Sequence, residues 1–355
     1  GEAVTERLYE GKLDRSLTNL STNSNRDIRP CFCISWGIFC GMGAADMAQS
    51  AEQIVVTGGG PLNGTVRVPA AKNSVLPLLA AALLCQRPVR LRGVPRLSDV
   101  ECSLALLRGA GCTAQWQGSD VALSGSPVQS TLPGQTAAQM RASILFCAPL
   151  LARLGRAETV LPGGCRIGSR PIDLHLKGFR ALGATVIEED GMVKAYAEKL
   201  IGTSIYMDQV SVGATINVML AATMAEGTTT IENAAKEPHV VDTANYLNMM
   251  GANIKGAGTD VIRIKGVPEL KGAQYTIIPD QIEAGTYMIA AAITGGDVLV
   301  KNIIPKHMDS LTAKLEEMNV KVAEWEDSIR VMADEPLRAV NVKTMSYPGF
   351  PTDLQ

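Results

Sequence analysis

The run "LPGGCRIGSRPIDLH" at residues 161–175 holds the strongest candidate for a reactive side chain. Cys165 follows two glycines, and Arg166 and Arg170 lie within five residues of it. Neighbouring guanidinium groups lower the pKa of a thiol, and glycines leave the sulfur accessible, so this loop suits a nucleophilic cysteine. A buried structural thiol and one half of a disulfide are the alternatives that the loop by itself leaves open.

Polar side chains recur where apolar, alanine-rich helical runs begin. Lys72 and Asn73 begin one such run, Arg141 begins a second, Ser211 stands at the same position of a third and Glu283 of a fourth, so two of the four positions are cationic. Backbone N–H groups at a helix N-terminus have no intrahelical acceptor and the helix dipole is positive there, so anions bind readily. The pattern therefore predicts recognition of an anionic small molecule.

Composition narrows the class of protein. The chain has 355 residues, 46% of them hydrophobic, and a net charge of −2, which suits two or three globular domains and argues against a sequence-blind nucleic-acid binder. Of the eight cysteines five are scattered and three crowd residues 31–40. No paired C-x-x-C motifs occur, which argues against a zinc site, and scattered cysteines in so long a chain favour a reducing cytosol. The apolar run 74–85 is shorter than the roughly 18 residues of a membrane span. We therefore expect a cytoplasmic protein without a metal, a nucleic-acid partner or a membrane partner.

The first 47 residues differ in character from the rest. Residues 1–30 are polar and lack apolar periodicity, whereas residues 31–43 are apolar, as in the hydrophobic region of a signal peptide. The chain begins with Gly rather than Met. The preferred interpretation is a disordered tail, or sequence upstream of a true start at Met42 or Met47.

A fourfold internal repeat predicts the architecture. Four segments share an amphipathic helix, a helix stop, a strand, a turn and a second strand, and the stops are 72, 68 and 68 residues apart. The stops are Gly111, Gly183, Gly251 and Asn319. Gly and Asn tolerate the left-handed conformation that ends a helix. An acidic residue lies nine or ten positions before each stop, where it is expected to complement the dipole of the first turn; these residues are Glu101, Asp173, Asp242 and Asp309.

Each segment is preceded by an apolar, small-residue helix and a β-rich run. The whole unit is therefore predicted as helix–strand–helix–strand–strand over about 70 residues. The apolar helix should be internal, and the charged helix should face solvent. Units are expected to begin near residues 72, 139, 208 and 280, and a fifth at "FPTDLQ", where the sequence ends.

Seven motifs carry a family resemblance. In order they are "AAKNSVLP", "MRASI", "LPGGCRIGSRPIDLH", "DQVSVGAT", "IENAAKEPHVVDTA", "GTDVIRIKGV" and "YPGFPTDLQ". Over residues 52–355 the chain resembles the UDP-N-acetylglucosamine 1-carboxyvinyltransferase (enolpyruvyl transferase) family. The resemblance implies an α/β (α+β) fold, a two-domain inside-out barrel with three repeat units in each domain. It also implies a tail over 1–47, a complete domain over 72–278, and a truncated second domain over 48–71 and 279–355.

The resemblance implies a reaction as well. The family transfers the enolpyruvyl group of phosphoenolpyruvate to the 3-hydroxyl of UDP-N-acetylglucosamine and releases phosphate, the first committed step of peptidoglycan synthesis and the target of fosfomycin. These two substrates are the expected partners, no cofactor is expected, and roles in cell-wall biogenesis, cell shape and cell division follow. Further family residues for phosphoenolpyruvate would lie beyond Gln355, so the 355-residue chain alone is expected to be inactive. Phosphate release that depends on UDP-N-acetylglucosamine would contradict that expectation.

Site residues are carried over by the same resemblance. Cys165 matches the proton donor, which can form a covalent adduct with phosphoenolpyruvate, and Asp353 matches the general base. Residues expected to hold phosphate or carboxylate groups or to contact substrate are Lys72, Asn73, Arg141 and Arg170. Residues expected to wrap the uridine diphosphate are Arg170, Pro171, Ile172, Asp173, Leu174, Gln209, Val210, Ser211 and Val212.

Two other functions are possible interpretations, and several positions differ from the family pattern. 5-Enolpyruvylshikimate-3-phosphate synthase shares the architecture but lacks the Gly-Gly-Cys loop, and a non-catalytic nucleotide-sugar-binding protein would bind without turnover. Many family members have a basic residue at Gln209, an arginine at Gln281 and a glycine at Ala70. Glu237 is either a residue near the cleft or a solvated or capping carboxylate.

Overall fold

A computed structural model describes residues 59–163 and 171–355. The tail of residues 1–47, Cys165 and Arg170 lie outside the described residues, so the predictions made for them stay predictions. The remaining predicted site residues are all described.

Unit one has the predicted order of elements. A strand, β1 (Asn63–Arg67), precedes it, and a short 3-10 turn over Ala82–Leu84 extends its first helix. Its elements are α1 (Lys72–Ala81), β2 (Val89–Arg92), α2 (Ser98–Gly109), β3 (Thr113–Gln117) and β4 (Asp120–Ser124).

Unit two begins with a less regular inner helix. A single helical turn, α3 (Gly134–Ala137), precedes it, and the inner helix itself starts as 3-10 turns over Arg141–Phe146 before α geometry sets in. The remaining elements are α4 (Cys147–Leu154), β5 (Arg156–Val160), α5 (Asp173–Ala181), β6 (Thr185–Glu189) and β7 (Met192–Tyr196).

Units three and four repeat the same order, and a short strand leads into each inner helix. Unit three comprises β8 (Ser204–Tyr206), α6 (Val212–Ala222), β9 (Thr228–Glu232), α7 (Pro238–Met249), β10 (Asn253–Lys255) and β11 (Val261–Lys265). Unit four comprises β12 (Gln274–Thr276), α8 (Gln281–Ile293), β13 (Asp297–Lys301), a 3-10 turn over Pro305–His307, α9 (Asp309–Glu317), β14 (Lys321–Glu324) and β15 (Ser328–Met332). The four-unit repeat predicted from the sequence is therefore confirmed.

The predicted helix stops adopt the left-handed conformation. Gly111, Gly183 and Gly251 have φ values of +99°, +95° and +101°, and Asn319 has +68°. A positive φ strains most residues but not glycine, and asparagine tolerates it, which is why these residue types end the four outer helices.

One part of the repeat interpretation is wrong. Asp242 does not lie in the first turn of its helix, because α7 begins at Pro238. Its side chain is 1% exposed, and its Oδ1 accepts a hydrogen bond of 2.6 Å from the hydroxyl of Tyr275. Burial raises the pKa of this carboxyl group. Asp242 therefore binds Tyr275 of β12 within the core and does not complement the dipole of α7.

Each unit contributes antiparallel strands to a sheet of its own, and three of the four sheets also contain one short strand that leads into an inner helix. Within the described ranges the strand orders are β12-β2-β4-β3, β5-β7-β6, β8-β9-β11-β10 and β1-β13-β15-β14. The lead-in strands β12, β8 and β1 pair in parallel with β2, β9 and β13, whereas every other pair of these strands is antiparallel. Because β12, the strand between α7 and α8, pairs with β2 of unit one, the first three units close into a ring. None of the described sheets closes into a barrel.

Two hydrophobic cores lie beneath these sheets. The larger core runs from Val75 to Ile277, and we call the structure around it the large body. The smaller core joins Val66 and Val68 to residues from Ala284 to Leu354, and we call the structure around it the small body. Inner helices pack in these cores while strands alternate buried and exposed residues, which is the expected inside-out arrangement of helices within and sheets outside. The domain boundaries given above stay a prediction.

Candidate active site

A cleft of about 1010 Å³ lies between the large body and the small body. Seven predicted site residues line it: Lys72, Asn73, Arg141, Pro171, Ser211, Val212 and Asp353. Five other predicted residues do not line it: Ile172, Asp173, Leu174, Gln209 and Val210. The ligand contacts of all twelve stay predictions.

The two chain segments that join the bodies place two inner-helix N-termini side by side. The Ala71 N–H donates to the Ile278 carbonyl at 2.8 Å, and the Asp280 N–H donates to the Pro69 carbonyl at 3.0 Å. α1 and α8 begin directly after these two hydrogen-bonded segments. The cleft therefore opens where the chain passes from one body to the other.

Asp280 holds these two helix starts together. One carboxylate oxygen, Oδ1, accepts from the N–H groups of Ile282 at 2.9 Å and Glu283 at 3.1 Å, which caps α8. The other, Oδ2, accepts from the N–H of Lys72 at 3.2 Å. One side chain thus satisfies N–H groups of two helices that would otherwise be unpaired. Sequence analysis missed Asp280, although the pair Asp280 and Glu283 matches the D-x-x-E variant of a capping box.

Lys72 presents a positive charge at the cleft. Its ammonium group lies 3.3 Å from Oδ2 of Asp99, and its side chain is 47% exposed. An exposed ion pair of this kind is worth less than about 1 kcal/mol, so it orients the ammonium group without neutralising its ability to bind an anion. Asn73 follows it on the exposed side of α1.

Arg141 links the inner helix of unit two to the segment after the cysteine loop. Its Nη2 donates to the carbonyl of Pro171 at 3.0 Å. Ile172 is 6% exposed and packs in the core, which explains why its side chain does not reach the cleft. Asp173 is the exposed first residue of α5, and Leu174 packs partly against the large core.

Ser211 caps α6 at the third side of the cleft. Its hydroxyl oxygen accepts from the N–H of Ala214 at 3.3 Å. Gln209 and Val210 precede the cap and are exposed. The inner helices of the three units in the large body therefore present their starting residues to one cavity.

Asp353 faces these groups from the small body. It lies in a 3-10 turn, Thr352–Leu354, whose last side chain is buried in the small core. Phe350 is buried just before it, and the Met345 N–H donates to the Phe350 carbonyl at 2.9 Å. These two anchors fix an exposed carboxylate at the rim of the cleft.

Sequence analysis missed a group of histidines. All three histidines of the chain, His175, His239 and His307, line the cleft. Burial lowers the pKa of His175 to about 4, with the positive charge of Arg141 acting in the same direction. Burial also lowers the pKa of His239 to about 4, against the opposing effect of two nearby carboxylates. Both imidazoles are therefore neutral near pH 7.

Glu237 lines the cleft as well. It stands at the start of α7 without a side-chain cap bond, so the capping interpretation is wrong. One of its carboxylate oxygens is buried without a hydrogen-bond partner among the described residues. An unpaired buried oxygen of this kind is costly unless a ligand or water satisfies it.

The described ranges, 59–163 and 171–355, contain no group of three or more His, Cys, Asp or Glu side chains close enough to hold a metal ion. No helix in the same ranges is long and apolar enough to cross a membrane.

Comparisons with known proteins establish the family. A family model described as EPSP synthase (3-phosphoshikimate 1-carboxyvinyltransferase) matches residues 56–355. UDP-N-acetylglucosamine 1-carboxyvinyltransferase 3 of Caldanaerobacter subterraneus is 53% identical over 305 residues, which are 86% of this chain and 73% of that protein. UDP-N-acetylglucosamine 1-carboxyvinyltransferase of Clostridium botulinum is 53% identical over 307 residues, 86% of this chain and 74% of that protein.

Solved structures share the fold. The enolpyruvyl transferase NikO from Streptomyces tendae has a TM-score of 0.74 at 25% identity, covering 84% of this chain and 72% of that one. EPSP synthase from Acinetobacter baumannii has a TM-score of 0.62 at 19% identity, covering 78% of this chain and 66% of that one, and supports the fold alone. With relatives at this level of identity and a cleft built from the repeat, the chain belongs to the UDP-N-acetylglucosamine 1-carboxyvinyltransferase family of enolpyruvyl transferases.

Proposed function

We propose that the cleft is the substrate site of an enzyme that transfers the enolpyruvyl group of phosphoenolpyruvate to the 3-hydroxyl of UDP-N-acetylglucosamine with release of phosphate. One observation carries the proposal: Lys72, Arg141 and the start of α6 converge on one cleft opposite Asp353. Three of these features favour anions and the fourth is a carboxylate, which is the charge pattern that the reaction needs.

The reaction is an addition followed by an elimination. C3 of phosphoenolpyruvate gains a proton, C2 becomes electrophilic, and the sugar oxygen attacks C2 as its proton leaves. Phosphate then departs as C3 loses a proton, so atoms and charges balance. An acid near C3, a base near the hydroxyl and cations near the phosphate are therefore required.

Roles follow from position and charge. Asp353 is proposed as the base, because its exposed carboxylate faces the cleft from the small body. Lys72 and Arg141 are proposed to hold anionic oxygens, for which ammonium and guanidinium groups are suited. Cys165 is proposed as the acid, supported by the glycines and arginines of its loop. Arg170, in the same loop, is proposed to assist in anion binding.

The proposal includes the biological setting of the reaction. The UDP-sugar acceptor supports a role in peptidoglycan synthesis, and with it in cell-wall biogenesis, cell shape and cell division. Among the described cysteines, Cys85, Cys112 and Cys147 are free thiols, which supports a reducing cytoplasmic location.

Calorimetry with the two substrates tests the binding part of the proposal. The 355-residue chain should bind UDP-N-acetylglucosamine, and Arg141→Met should weaken that binding. Arg180→Met is a matched control, because Arg180 is paired with Glu188 on the outer surface. A chain that binds neither substrate would contradict the proposal.

Alkylation by fosfomycin tests the role of Cys165. Intact-mass and peptide analysis should show one adduct, on the peptide that contains Cys165. Cys147 serves as an internal control, since burial raises the pKa of its thiol to about 12 and keeps it unreactive. Equal modification of Cys165→Ser and the parent chain would show that the reactive cysteine is a different one.

A further inference from the structure

Asp242 is a buried carboxyl group of the large body that the proposed reaction does not use. It lies on α7, is 1% exposed and does not line the cleft. Burial raises the pKa of this group, whereas the hydroxyls of Tyr275 and Ser74 and the N–H of Ile278 lie close enough to favour its ionised form. A carboxyl group removed from water is costly unless donors surround it, and here the donors come from three different parts of the chain.

The hydroxyl of Tyr275 joins Asp242 to β12. It donates to Oδ1 at 2.6 Å and lies 3.3 Å from the backbone carbonyl oxygen of the same residue. The ring of Tyr275 packs at 56° against that of Tyr246, with 5.2 Å between the ring centroids. The hydroxyl of Tyr246 is buried without a hydrogen-bond partner among the described residues. Tyr275 thus connects α7 with β12 through its hydroxyl, whereas Tyr246 contributes its ring.

Ser74 brings the start of α1 to the same carboxyl group. It is the third residue of that helix, two positions after Lys72, and it is completely buried. Its Oγ and Oδ2 of Asp242 are both buried, and neither forms a hydrogen bond of ordinary length and angle with a described residue. Because the two side chains lie close together and unpaired buried polar atoms are costly, each is suited to satisfy the other.

The segment that follows β12 carries these contacts to the cleft. The carbonyl oxygen of Ile278 accepts from the Ala71 N–H at 2.8 Å. Two residues later, the carboxylate of Asp280 accepts from the Lys72 N–H at 3.2 Å. Lys72 lines the cleft, so the place of its ammonium group depends on the path of this segment beside the start of α1.

We propose that Asp242 is a positioning residue, which holds Tyr275 and Ser74 from inside the large core and thereby sets where Lys72 presents its charge. It acts on the start of α1 directly through Ser74, and through Tyr275 on the segment that joins the two bodies. The inference rests on the proposed function in one respect, because the anion that Lys72 receives belongs to a substrate of that proposal.

Two neighbouring tyrosines supply matched variants for the free chain. Tyr275→Phe removes the hydroxyl that reaches Asp242, whereas Tyr246→Phe removes a buried hydroxyl that has no partner among the described residues. Both variants keep the ring pair. Backbone amide NMR of the free chain should show the signals of Ala71 and Lys72 shifted in Tyr275→Phe and unchanged in Tyr246→Phe. Unchanged signals in Tyr275→Phe would overturn the inference.

A double-mutant cycle with Lys72 tests whether the effect passes through this side chain. Lys72→Met shows by calorimetry which of the two substrates Lys72 receives. Tyr275→Phe should bind that substrate about 3- to 10-fold more weakly, which is the range of coupling through packed and hydrogen-bonded networks. In the Lys72→Met background, Tyr275→Phe should cause no further loss, since the group it positions is gone. A role in overall stability alone would not produce this dependence on Lys72.

Two substitutions at Asp242 extend the test. Asp242→Leu has a similar size but no acceptor, so it should lose at least as much affinity as Tyr275→Phe. Asp242→Asn keeps one acceptor and should bind within about threefold of the parent chain. Equal binding by Asp242→Leu and the parent would contradict the inference. If Asp242→Leu does not fold, the two tyrosine variants still decide.

The outcomes separate this inference from the proposed function. A parent chain that binds neither substrate would defeat the proposed function, and the amide signals of the free chain would still decide whether Asp242 positions the start of α1. Normal binding by the parent with equal binding by Tyr275→Phe would overturn the inference alone. Losses for Tyr275→Phe and Lys72→Met that add in full would do the same.

Discussion

The inner helices of the two bodies have similar sequences but different surroundings. In α1, eight of ten residues are buried, and in α6, nine of eleven. In α8, which is also rich in alanine and other apolar residues, only five of thirteen are buried, and Ile293 at its end is 72% exposed. An apolar helix is therefore not buried because of its composition alone.

The difference follows from the neighbours of each helix. α1 packs against α2, α7 and the 3-10 turns of unit two, so helices from all three units surround it. α8 packs against β13, β15 and α9 of its own unit and the turn that holds Asp353. The large body thus supplies a closely packed wall for the cleft, whereas the small body supplies a carboxylate on a lightly supported turn. We therefore expect a substitution in the large body to lower the free energy of unfolding more than a matched substitution in the small body.

The largest expected effect is a loss of folding stability in acid that is caused by the burial of His175 in the large body. A folded pKa of about 4, against an ordinary value of 6.5, means that the unfolded chain binds the extra proton first as the pH falls. As the pH falls from 6.5 to 4, protonation of His175 in the unfolded chain should lower the free energy of unfolding by roughly 3 kcal/mol, because one pKa unit corresponds to about 1.4 kcal/mol. Urea unfolding of His175→Gln across this range should show a correspondingly flatter loss than the parent.

His307 on the small body is the matched control. Burial lowers its pKa as well, but its ring is only partly buried, so His307→Gln should flatten the acid loss less. An equal effect of the two substitutions would break the comparison between the bodies.

The next largest effect is expected when a methyl group is added where two helices of the large body touch. A Cβ on Gly178 of α5 would overlap Cγ2 of Val218, a fully buried β-branched side chain of α6. Gly178→Ala should therefore lower the free energy of unfolding by about 2 kcal/mol, as overpacking does. Thermal and urea unfolding measure the change.

Gly285 of α8 offers the matched substitution in the small body. A Cβ there would lie 2.5 Å from Cδ1 of Leu354 and 3.1 Å from Cδ2 of Leu311, both ends of flexible side chains. Alanine favours a helix over glycine by about 1 kcal/mol at both positions, so the crowding decides the order. Gly285→Ala should cost less than Gly178→Ala, and the reverse order would mean that the small body is the more tightly packed.

The smallest expected effect concerns helix capping. Asp280→Ala removes the cap of α8 and the acceptor of the Lys72 N–H, so it should cost about 1–2 kcal/mol of stability. Ser211→Ala removes the cap of α6 alone and should cost about 1 kcal/mol. Urea unfolding of both variants checks the order, and a larger loss for Ser211→Ala would show that Asp280 does not join the two bodies.

Local signals were enough to predict the repeat. Apolar periodicity identified the inner and outer helices, and Gly or Asn stops located their ends, because both features act within a few residues. The parallel pairings of β1, β8 and β12 were not predicted, since each strand has only three to five residues and its pairing depends on a partner from another part of the chain. Asp242 was misassigned because its position in the repeat gave no indication of burial against Tyr275.

The candidate site was predicted in part for the same reason. Lys72, Arg141 and Ser211 occupy equivalent repeat positions, so their convergence could be expected before the structure. The place of His175 in the cleft could not be predicted in this way, because its neighbour Asn217 lies 42 residues away in sequence. Ile172, Asp173 and Leu174 were grouped with the cleft by resemblance, but the turn of α5 directs Ile172 into the core.

The central claim is that a nucleotide sugar bridges the two bodies at this cleft. Hydrogen exchange measured by mass spectrometry, with and without UDP-N-acetylglucosamine, tests it most directly. We predict slower exchange on both sides: at residues 211–214, where the first N–H groups of α6 lack helical acceptors, and at residues 352–354 around Asp353. Protection confined to one body, or absent from both at saturating ligand, would contradict the account.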